Sequence, residues 1–196
     1  MNLMERTYSV LIVSAAENLN HTLAELLPSY RFSTIKKAAS ISAASRILSG
    51  REYDMIIINA PLPDDAGLRF ALDAAKRGGS IVLFIVRAAM YNQIYTKMSP
   101  HGIFTIAKPL SKQNLTAALD WMISARERVR ILETKTVSIE EKMEEIRLVN
   151  RAKWLLIDKQ NMDEPGAHRR IEKQAMDRCV TRREIAEDII KKYTMS

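Results

Sequence analysis

An apolar heptad repeat is the feature that most limits how this chain can fold. With Leu115 as the first a position, apolar residues recur at most a and d positions in a single phase. A repeat sustained over this length predicts a long helix whose apolar seam is covered by a second, supercoiled helix. We therefore predict a homodimer with a coiled-coil dimerisation helix over residues 118–149. The predicted dimer seam is Met122, Val129, Leu132, Ile139, Met143 and Ile146.

Two features of this segment leave alternatives open. Thr134–Ser138 is poor in helix formers, and Ser138 with Glu141 resembles a capping box, so a helix break there is possible. An amphipathic helix can also bury its apolar stripe against its own domain instead of a partner. Parallel pairing of two chains is favoured because it would place Arg128 opposite the partner's Glu133.

Upstream of the heptads, short β-branched runs alternate with helical patterns. Continuous apolar runs such as Ile56–Ile58 and Ile81–Ile85 predict strands that are buried on both faces. Five strands alternating with five helices predict a doubly wound, flavodoxin-like α/β domain with a five-stranded parallel sheet over residues 1–117. The predicted strands are Ser9–Ser14, Ser33–Ala38, Met55–Asn59, Ile81–Val86 and Ile103–Ile106.

The final stretch of the chain predicts a small three-helix domain. The first helix continues the coil through Arg151–Lys159. A second begins near Asp163 and ends at about Arg178. The third opens with Thr181, and Glu184 three residues later completes a capping-box signature.

Composition excludes several classes of protein. The formal charge of +7 permits a polyanionic partner, although the chain has no uninterrupted basic run. The single cysteine, Cys179, excludes an intramolecular disulfide and a cysteine-cluster metal site. No apolar stretch approaches the roughly 20 residues of a membrane span, and no secretory signal is present, so we predict a cytoplasmic protein with no membrane partner. No catalytic constellation has the required spacing, so we predict no enzyme, metal or cofactor.

Residues 7–120 resemble the receiver domain of bacterial response regulators. The resemblance lies in Tyr53–Gly67, which has the pattern of a third strand, a phosphoacceptor position and a Leu-Pro-Asp turn. It continues in Lys108-Pro109 after the fifth strand, where receivers keep an invariant lysine. Receivers phosphorylate an aspartate at the end of the third strand, aided by Mg²⁺ that is held by acidic residues after the first strand.

The residues that this chemistry needs are replaced here. Asn59 stands at the nucleophile position, and its amide is uncharged and a poor nucleophile. Ser14 begins the segment that replaces the acidic pair, leaving only Glu17 nearby as an oxygen ligand. Lys108 alone survives. We therefore predict a degenerate phosphoacceptor site of Asn59, Ser14, Glu17 and Lys108, in a phosphorylation-independent pseudo-receiver.

Asn150–Ile190 resembles the ANTAR domain, the RNA-binding module of transcription antitermination regulators. Arg151–Leu156 matches its first-helix motif, with Trp154 where glycine is usual. Ala167–Asp177 and Arg182–Ala186 match its second and third helices. The resemblance implies an ANTAR RNA-binding domain over residues 150–196, and the chain is similar in organisation to antiterminators of the amidase-operon type.

The resemblance also implies the activity and the partners. Such regulators bind paired stem-loops in nascent leader mRNA and prevent terminator formation, and a sensor protein can bind the pseudo-receiver. The RNA-binding residues predicted on this basis are Arg151, Lys153, Lys159, His168, Arg169, Arg170, Lys173, Gln174, Arg182 and Arg183. Two alternatives stay open: a DNA-binding response regulator, since trihelical modules also suit helix-turn-helix proteins, and a protein-interaction adaptor.

Overall fold

The computed structural model describes residues 6–194, and the first part of the chain forms one parallel β-sheet. The strands are β1 (Tyr8–Val13), β2 (Phe32–Ala38), β3 (Met55–Asn59), β4 (Ile81–Arg87) and β5 (Phe104–Lys108). Their order in the sheet is β2-β1-β3-β4-β5, and all neighbouring pairs are parallel. The predicted flavodoxin-like fold is confirmed. Of the predicted domain ranges, residues 1–5 and 195–196 lie outside the described residues.

Helices connect the strands. They are α1 (Glu17–Leu26), α2 (Ile41–Gly50), α3 (Leu68–Lys76) and α4 (Tyr91–Met98), with short 3₁₀ turns at Ala88–Met90 and Ser99–His101. Ser40 starts α2, because its Oγ accepts a hydrogen bond from the backbone N–H of Ala43 at 3.2 Å. Gly67 starts α3 at a φ of +79°, where a Cβ would lie 3.3 Å from the side chains of Ile58 and Phe84. Glycine is needed there for both reasons.

The central strands are buried on both faces, as their continuous apolar runs predict. Ile56 and Ile58 of β3 belong to one hydrophobic cluster, whereas Met55 and Ile57 belong to the other. The strand ends differ slightly from the prediction, since β4 extends to Arg87. This arrangement leaves the loops at the carboxyl ends of the strands as the polar edge of the sheet.

The fifth helix, α5 (Lys112–Gln160), is continuous through Thr134–Ser138, so the possible helix break does not occur. Its upstream part packs on the sheet within its own chain. Met122 is 0% exposed in the same cluster as Met55, and Val129 packs partly against that cluster. Burial therefore removes Met122 from the predicted dimer seam and makes it a core residue. No helix within residues 6–194 is both long and apolar enough to cross a membrane.

Asp54, just before β3, fixes the upstream part of α5 to the sheet. Its carboxylate accepts hydrogen bonds from the Ser9 N–H and hydroxyl and from Arg126 Nε, each at 2.9 Å. Burial alone would raise the pKa of Asp54, but the bonds from Ser9 and Arg126 outweigh it and lower that pKa below its ordinary value. Asp54 is therefore held as a carboxylate in the fold.

The chain divides into two compact units, Met1–Ile131 and Leu132–Ser196, which are described separately. In the second unit the downstream part of α5 joins α6 (Glu164–Arg178) and α7 (Arg182–Thr194). Asp163 caps α6, accepting from the Gly166 N–H at 3.0 Å, and Thr181 with Glu184 forms the predicted capping box. The small buried residues of these helices, which allow close packing, are Ala152, Ala167, Ala175 and Ala186.

Candidate functional site

The strand-edge site of the first unit brings together three of the four predicted residues. Asn59 ends β3 and is buried, and its Nδ2 donates to Ser14 Oγ at 2.9 Å. Among residues 6–194, Asn59 Oδ1 has no hydrogen-bond partner. Asn59 and Lys108 line a cavity of about 370 Å³ at this edge. Glu17, the fourth residue, lies in the first turn of α1 with an exposed side chain.

Lys108 is held by the backbone rather than by an acidic side chain. Its Nζ donates to the carbonyl oxygen of Ala60 at 2.7 Å. Burial, followed by the charge of Arg87, lowers the pKa of Lys108. Arg87 was not anticipated from the sequence, and it adds a second positive charge at the end of β4. Among residues 6–194, no carboxylate forms an ion pair with Lys108.

The acidic turn after β3 serves the fold. Asp64 accepts hydrogen bonds from the backbone N–H groups of Ile41 and Ser42, both at 2.9 Å, at the start of α2. These bonds lower the pKa of Asp64 to about 2. Asp65 accepts from the Gly67 N–H at 2.6 Å. Within the described part of the chain, no group of three or more His, Cys, Asp or Glu side chains could hold a metal ion.

The downstream heptad positions of α5 are exposed in the single chain. Leu132, Ile139, Met143 and Ile146 are 48%, 58%, 66% and 60% exposed. They are apolar, lie at a and d positions and share one side of the helix. The segment from Leu132 to Ile146, which we name the α5 seam, is therefore an apolar face with a large solvent-exposed area.

The predicted RNA-binding residues of α6 do not form one patch. Ala167, Ile171 and Ala175 make its buried face. The helical period places His168 on one flank of that face and Arg170 with Gln174 on the other, while Arg169 and Lys173 lie on the exposed ridge between the flanks. We name this the α6 ridge, defined by Arg169 and Lys173.

The His168 flank is balanced by carboxylates. His168 lines a groove of about 390 Å³ together with Lys153 and Arg182. These three side chains each have an acidic partner: Lys153 with Glu164 at 3.0 Å, Arg182 with Glu145 at 3.1 Å and His168 with Glu172 at 3.2 Å, whereas Lys142, which also lines the groove, forms no ion pair with residues 6–194. The positive charge of this groove is therefore largely compensated within the protein.

The ridge and the other flank are not balanced in this way. Arg169 Nε donates to the Pro165 carbonyl at 3.3 Å, and Arg170 Nη1 donates to the neutral amide of Gln160. Lys173 is exposed, and no carboxylate of residues 6–194 forms an ion pair with it. These three cations therefore contribute most of the uncompensated positive charge on α6.

The remaining predicted residues lie apart from these two surfaces. Arg151 is exposed on α5, and Lys159 lies 3.0 Å from its neighbour Asp158. Arg183 donates from Nε to Glu187 at 2.9 Å, one turn further along α7. Trp154, which departs from the family motif, is 71% exposed.

A further cluster was not anticipated from the sequence. Tyr193, near the end of α7, accepts a hydrogen bond from Gln160 Nε2 at the end of α5. Lys192 Nζ lies 5.6 Å from the centroid of the Tyr193 ring. The only sequence signal was the presence of one aromatic residue in a basic helix end, which does not predict a contact with α5.

Comparisons with known proteins agree with this architecture. Residues 138–190 match the ANTAR domain family. "Transcriptional regulatory protein PdtaR" of Mycobacterium tuberculosis, from strains CDC 1551 / Oshkosh and ATCC 25618 / H37Rv, is 25% identical over 181 residues. The similarity covers 92% of this chain and 88% of the relative.

Solved structures show the fold of the first unit. The signal receiver domain of an HD domain-containing protein from Pseudomonas fluorescens Pf-5 has a TM-score of 0.56 and 22% identity, covering 66% of this chain and 96% of that one. The non-phosphorylated HemR receiver domain from Leptospira biflexa has a TM-score of 0.52 and 24% identity, covering 60% and 95%. The first unit thus has the receiver fold, and the residues that match the ANTAR domain family lie mostly in the second unit.

Proposed function

We propose that this chain is an RNA-binding transcription antitermination regulator. It binds paired stem-loops in nascent leader mRNA as a homodimer and prevents formation of the terminator. The ANTAR match over residues 138–190 supports a regulator of this type. The observation that carries the RNA-binding step is the uncompensated positive charge of the α6 ridge and of the neighbouring Arg170.

The ridge suits phosphate contacts for an electrostatic reason. A cation that replaces condensed counterions around RNA contributes more to affinity when it does not first have to leave a carboxylate. Arg169 and Lys173 are exposed and one turn apart on α6, so both can reach one RNA backbone. By contrast, Lys153 and Arg182 would have to exchange Glu164 and Glu145 for phosphate. We therefore assign the main phosphate contacts to the ridge.

The α5 seam supports the dimer in this proposal. A contiguous set of exposed apolar residues at heptad positions is stabilised when a second copy covers it. The seam begins at Leu132, since the earlier heptad position Met122 is buried in the receiver fold. A dimer would carry two ANTAR domains, and binding one hairpin would raise the effective concentration of the second. This arrangement explains why the RNA target would contain paired stem-loops.

The receiver fold acts without phosphorylation in this proposal. Asn59 offers an amide instead of a carboxylate, and its Nδ2 is bonded to Ser14. Ile85 and Val86, at the end of β4, are buried and have no hydroxyl with which to read a phosphoryl group. Regulation would then come from a sensor protein that binds the pseudo-receiver.

RNA titrations of a double variant of the α6 ridge and of a matched control variant test the proposal. Arg169→Ala with Lys173→Ala should weaken binding of a two-hairpin RNA and reduce the slope of log affinity against log salt by about 2 for each hairpin bound, or about 4 for the dimer, one for each lost phosphate contact. The matched control, Arg69→Ala with Lys76→Ala on exposed positions of α3, removes the same charge from the first unit and should leave the slope unchanged.

The same titration separates the alternatives. A duplex DNA that is bound more tightly than the two-hairpin RNA would favour the DNA-binding regulator. A clean dimer with no affinity for either nucleic acid would favour the protein-interaction adaptor. Equal loss in the ridge variant and in the α3 control would remove the ridge from the interface.

A further inference from the structure

A small pocket lies where the end of α5 meets α6 and α7, on the flank of α6 that carries Arg170. Its floor is apolar, formed by the buried side chains of Leu156 and Ile189. Its polar rim includes Gln160, Arg170 and Gln174, with the ring of Tyr193 beside them. We name it the Tyr193 pocket. It lies wholly within the second unit and is separate from the groove beside His168.

Hydrogen bonds hold the rim of this pocket in place. Gln160 uses both ends of its amide, donating from Nε2 to the Tyr193 hydroxyl and accepting at Oε1 from Arg170. The tyrosine ring and the guanidinium are therefore positioned by a single side chain of α5. Asp188, also on the rim, is paired with Arg178 at 2.7 Å, so the rim is not a negatively charged surface.

Gln174 differs from its neighbours because its amide is not used inside the protein. It is half-buried and lines the pocket, and among the described residues it has no hydrogen-bond partner. An amide has both donors and an acceptor, so it can pair with the edge of a planar heterocycle. A ligand in the pocket would therefore meet the free amide of Gln174, the guanidinium of Arg170 and the ring of Tyr193, with Asp188 and Lys192 also on the lining.

The size of the pocket selects the ligand. Its volume is about 140 Å³, close to that of a cavity of roughly 150 Å³ that holds one benzene molecule. One ring system fills such a space. An apolar floor with a few convergent polar groups suits a flat heterocycle, and sequence-specific RNA recognition uses bases that are splayed out of loops and stacked on aromatic or arginine planes.

We propose that the Tyr193 pocket binds one unpaired base of an RNA loop. This inference rests on the proposed RNA-binding function. The α6 ridge and the adjacent Tyr193 pocket would then contact different parts of the RNA. Arg169 and Lys173 of the α6 ridge contact phosphates without regard to sequence, and Gln174 with Tyr193 reads one base. The pocket lies on the flank next to the ridge, so one hairpin can reach both surfaces.

The test uses the full-length protein and the two-hairpin RNA, with each loop nucleotide replaced in turn by an abasic one. An abasic nucleotide at one particular position of the loop, the same in both hairpins, should lower the affinity of the wild type about tenfold. Contacts to a stacked base are worth roughly 5- to 150-fold in affinity. Gln174→Ala should bind the intact RNA about tenfold more weakly and should be insensitive to the abasic change at that position. Tyr193→Leu, which keeps apolar bulk without the ring, should behave in the same way.

Lys173→Ala is the matched control, because it lies one residue from Gln174 on the same helix. It should weaken binding of the intact and abasic RNAs by equal factors. If no abasic change affects the wild type, or if Gln174→Ala keeps the same sensitivity, the pocket does not read a base, although RNA binding itself stands. If the wild type binds no hairpin RNA, the proposed function fails and this inference fails with it.

Discussion

Replacing Asp54 by alanine would test how α5 is fixed to the receiver fold. The Asp54 carboxylate accepts hydrogen bonds from the Ser9 N–H, the Ser9 hydroxyl and Arg126 Nε, all at 2.9 Å. The side chains of Asp54 and Arg126 are 18% and 13% exposed, so water replaces little of what is lost. We expect the free energy of unfolding of the first unit to fall by about 3 kcal/mol.

This magnitude follows from the geometry of the pair. Removing one partner of a buried ion pair costs about 3–5 kcal/mol, because a charge in a poorly solvated place then has one opposite charge fewer beside it. The lower end applies here because both side chains keep some exposure. Arg130, which lies 3.4 Å from Asp54, also has Glu127 at 2.9 Å and so keeps a carboxylate partner.

Asp73→Ala is the matched control, since it also removes an aspartate that faces an arginine. Asp73 lies 3.8 Å from Arg69, and the two side chains are 56% and 94% exposed, so the loss should stay below about 0.5 kcal/mol. Urea unfolding of both variants in a Trp154→Phe background would be followed by the fluorescence of Trp121, the tryptophan of the first unit. A cost below about 1 kcal/mol for Asp54→Ala, or equal costs for the two variants, would refute the reasoning.

Three other predictions follow from the same structure. Because the folded protein lowers the pKa of Asp54, the stabilisation by this carboxylate is complete above its unfolded pKa of about 4 and is lost as the pH falls through the folded pKa. The difference in unfolding free energy between the wild type and Asp54→Ala should therefore stay constant near neutral pH and become smaller in acid. Urea titrations at several pH values measure this difference. Acetyl phosphate with Mg²⁺ should leave the intact mass unchanged because Asn59 is no acceptor, and a gain of one phosphoryl group would contradict this. Ile139→Lys with Met143→Lys should give monomers in sedimentation, whereas Glu141→Lys, on the opposite side of the helix, should not; a dimer that persists in the double variant would exclude the α5 seam.

The sheet could be predicted from the sequence because its signal is local. Continuous apolar runs such as Ile56–Ile58 identify strands buried on both faces, and β3 has the predicted bounds of Met55–Asn59. The stretch between β4 and β5 has a weaker helical pattern. There the chain forms a 3₁₀ turn before α4 begins at Tyr91.

The sequence could not predict what packs against the apolar heptad positions of α5. Met122 and Ile139 occupy equivalent kinds of positions in one repeat, yet the first is 0% exposed and the second 58%. Periodicity shows that a face is apolar, but it does not tell what packs against that face. That information lies in the three-dimensional position of β-strands far away in sequence.

The candidate RNA interface could likewise be predicted only in part from the sequence. The helix that carries Arg169 and Lys173 was predicted with nearly the correct bounds. The carboxylates that neutralise other basic residues come from distant positions, such as Glu145 beside Arg182. Gln160 and Tyr193 are 33 residues apart in sequence, and no sequence motif predicts their contact or the pocket that it borders. The sequence shows which residues are basic, but only the folded structure shows which of them are paired with a carboxylate.

The bond from Lys108 to the Ala60 carbonyl affects what a single substitution at this edge of the sheet could achieve. With Arg87 close by, that end of the sheet has two cations, whereas a divalent metal ion is held by carboxylate and other oxygen ligands. Restoring a carboxylate at Asn59 alone would offer Lys108 a counter-ion rather than recreate a phosphate acceptor. A carboxylate at position 59 would therefore need acidic neighbours as well before this end of the sheet could hold a divalent metal.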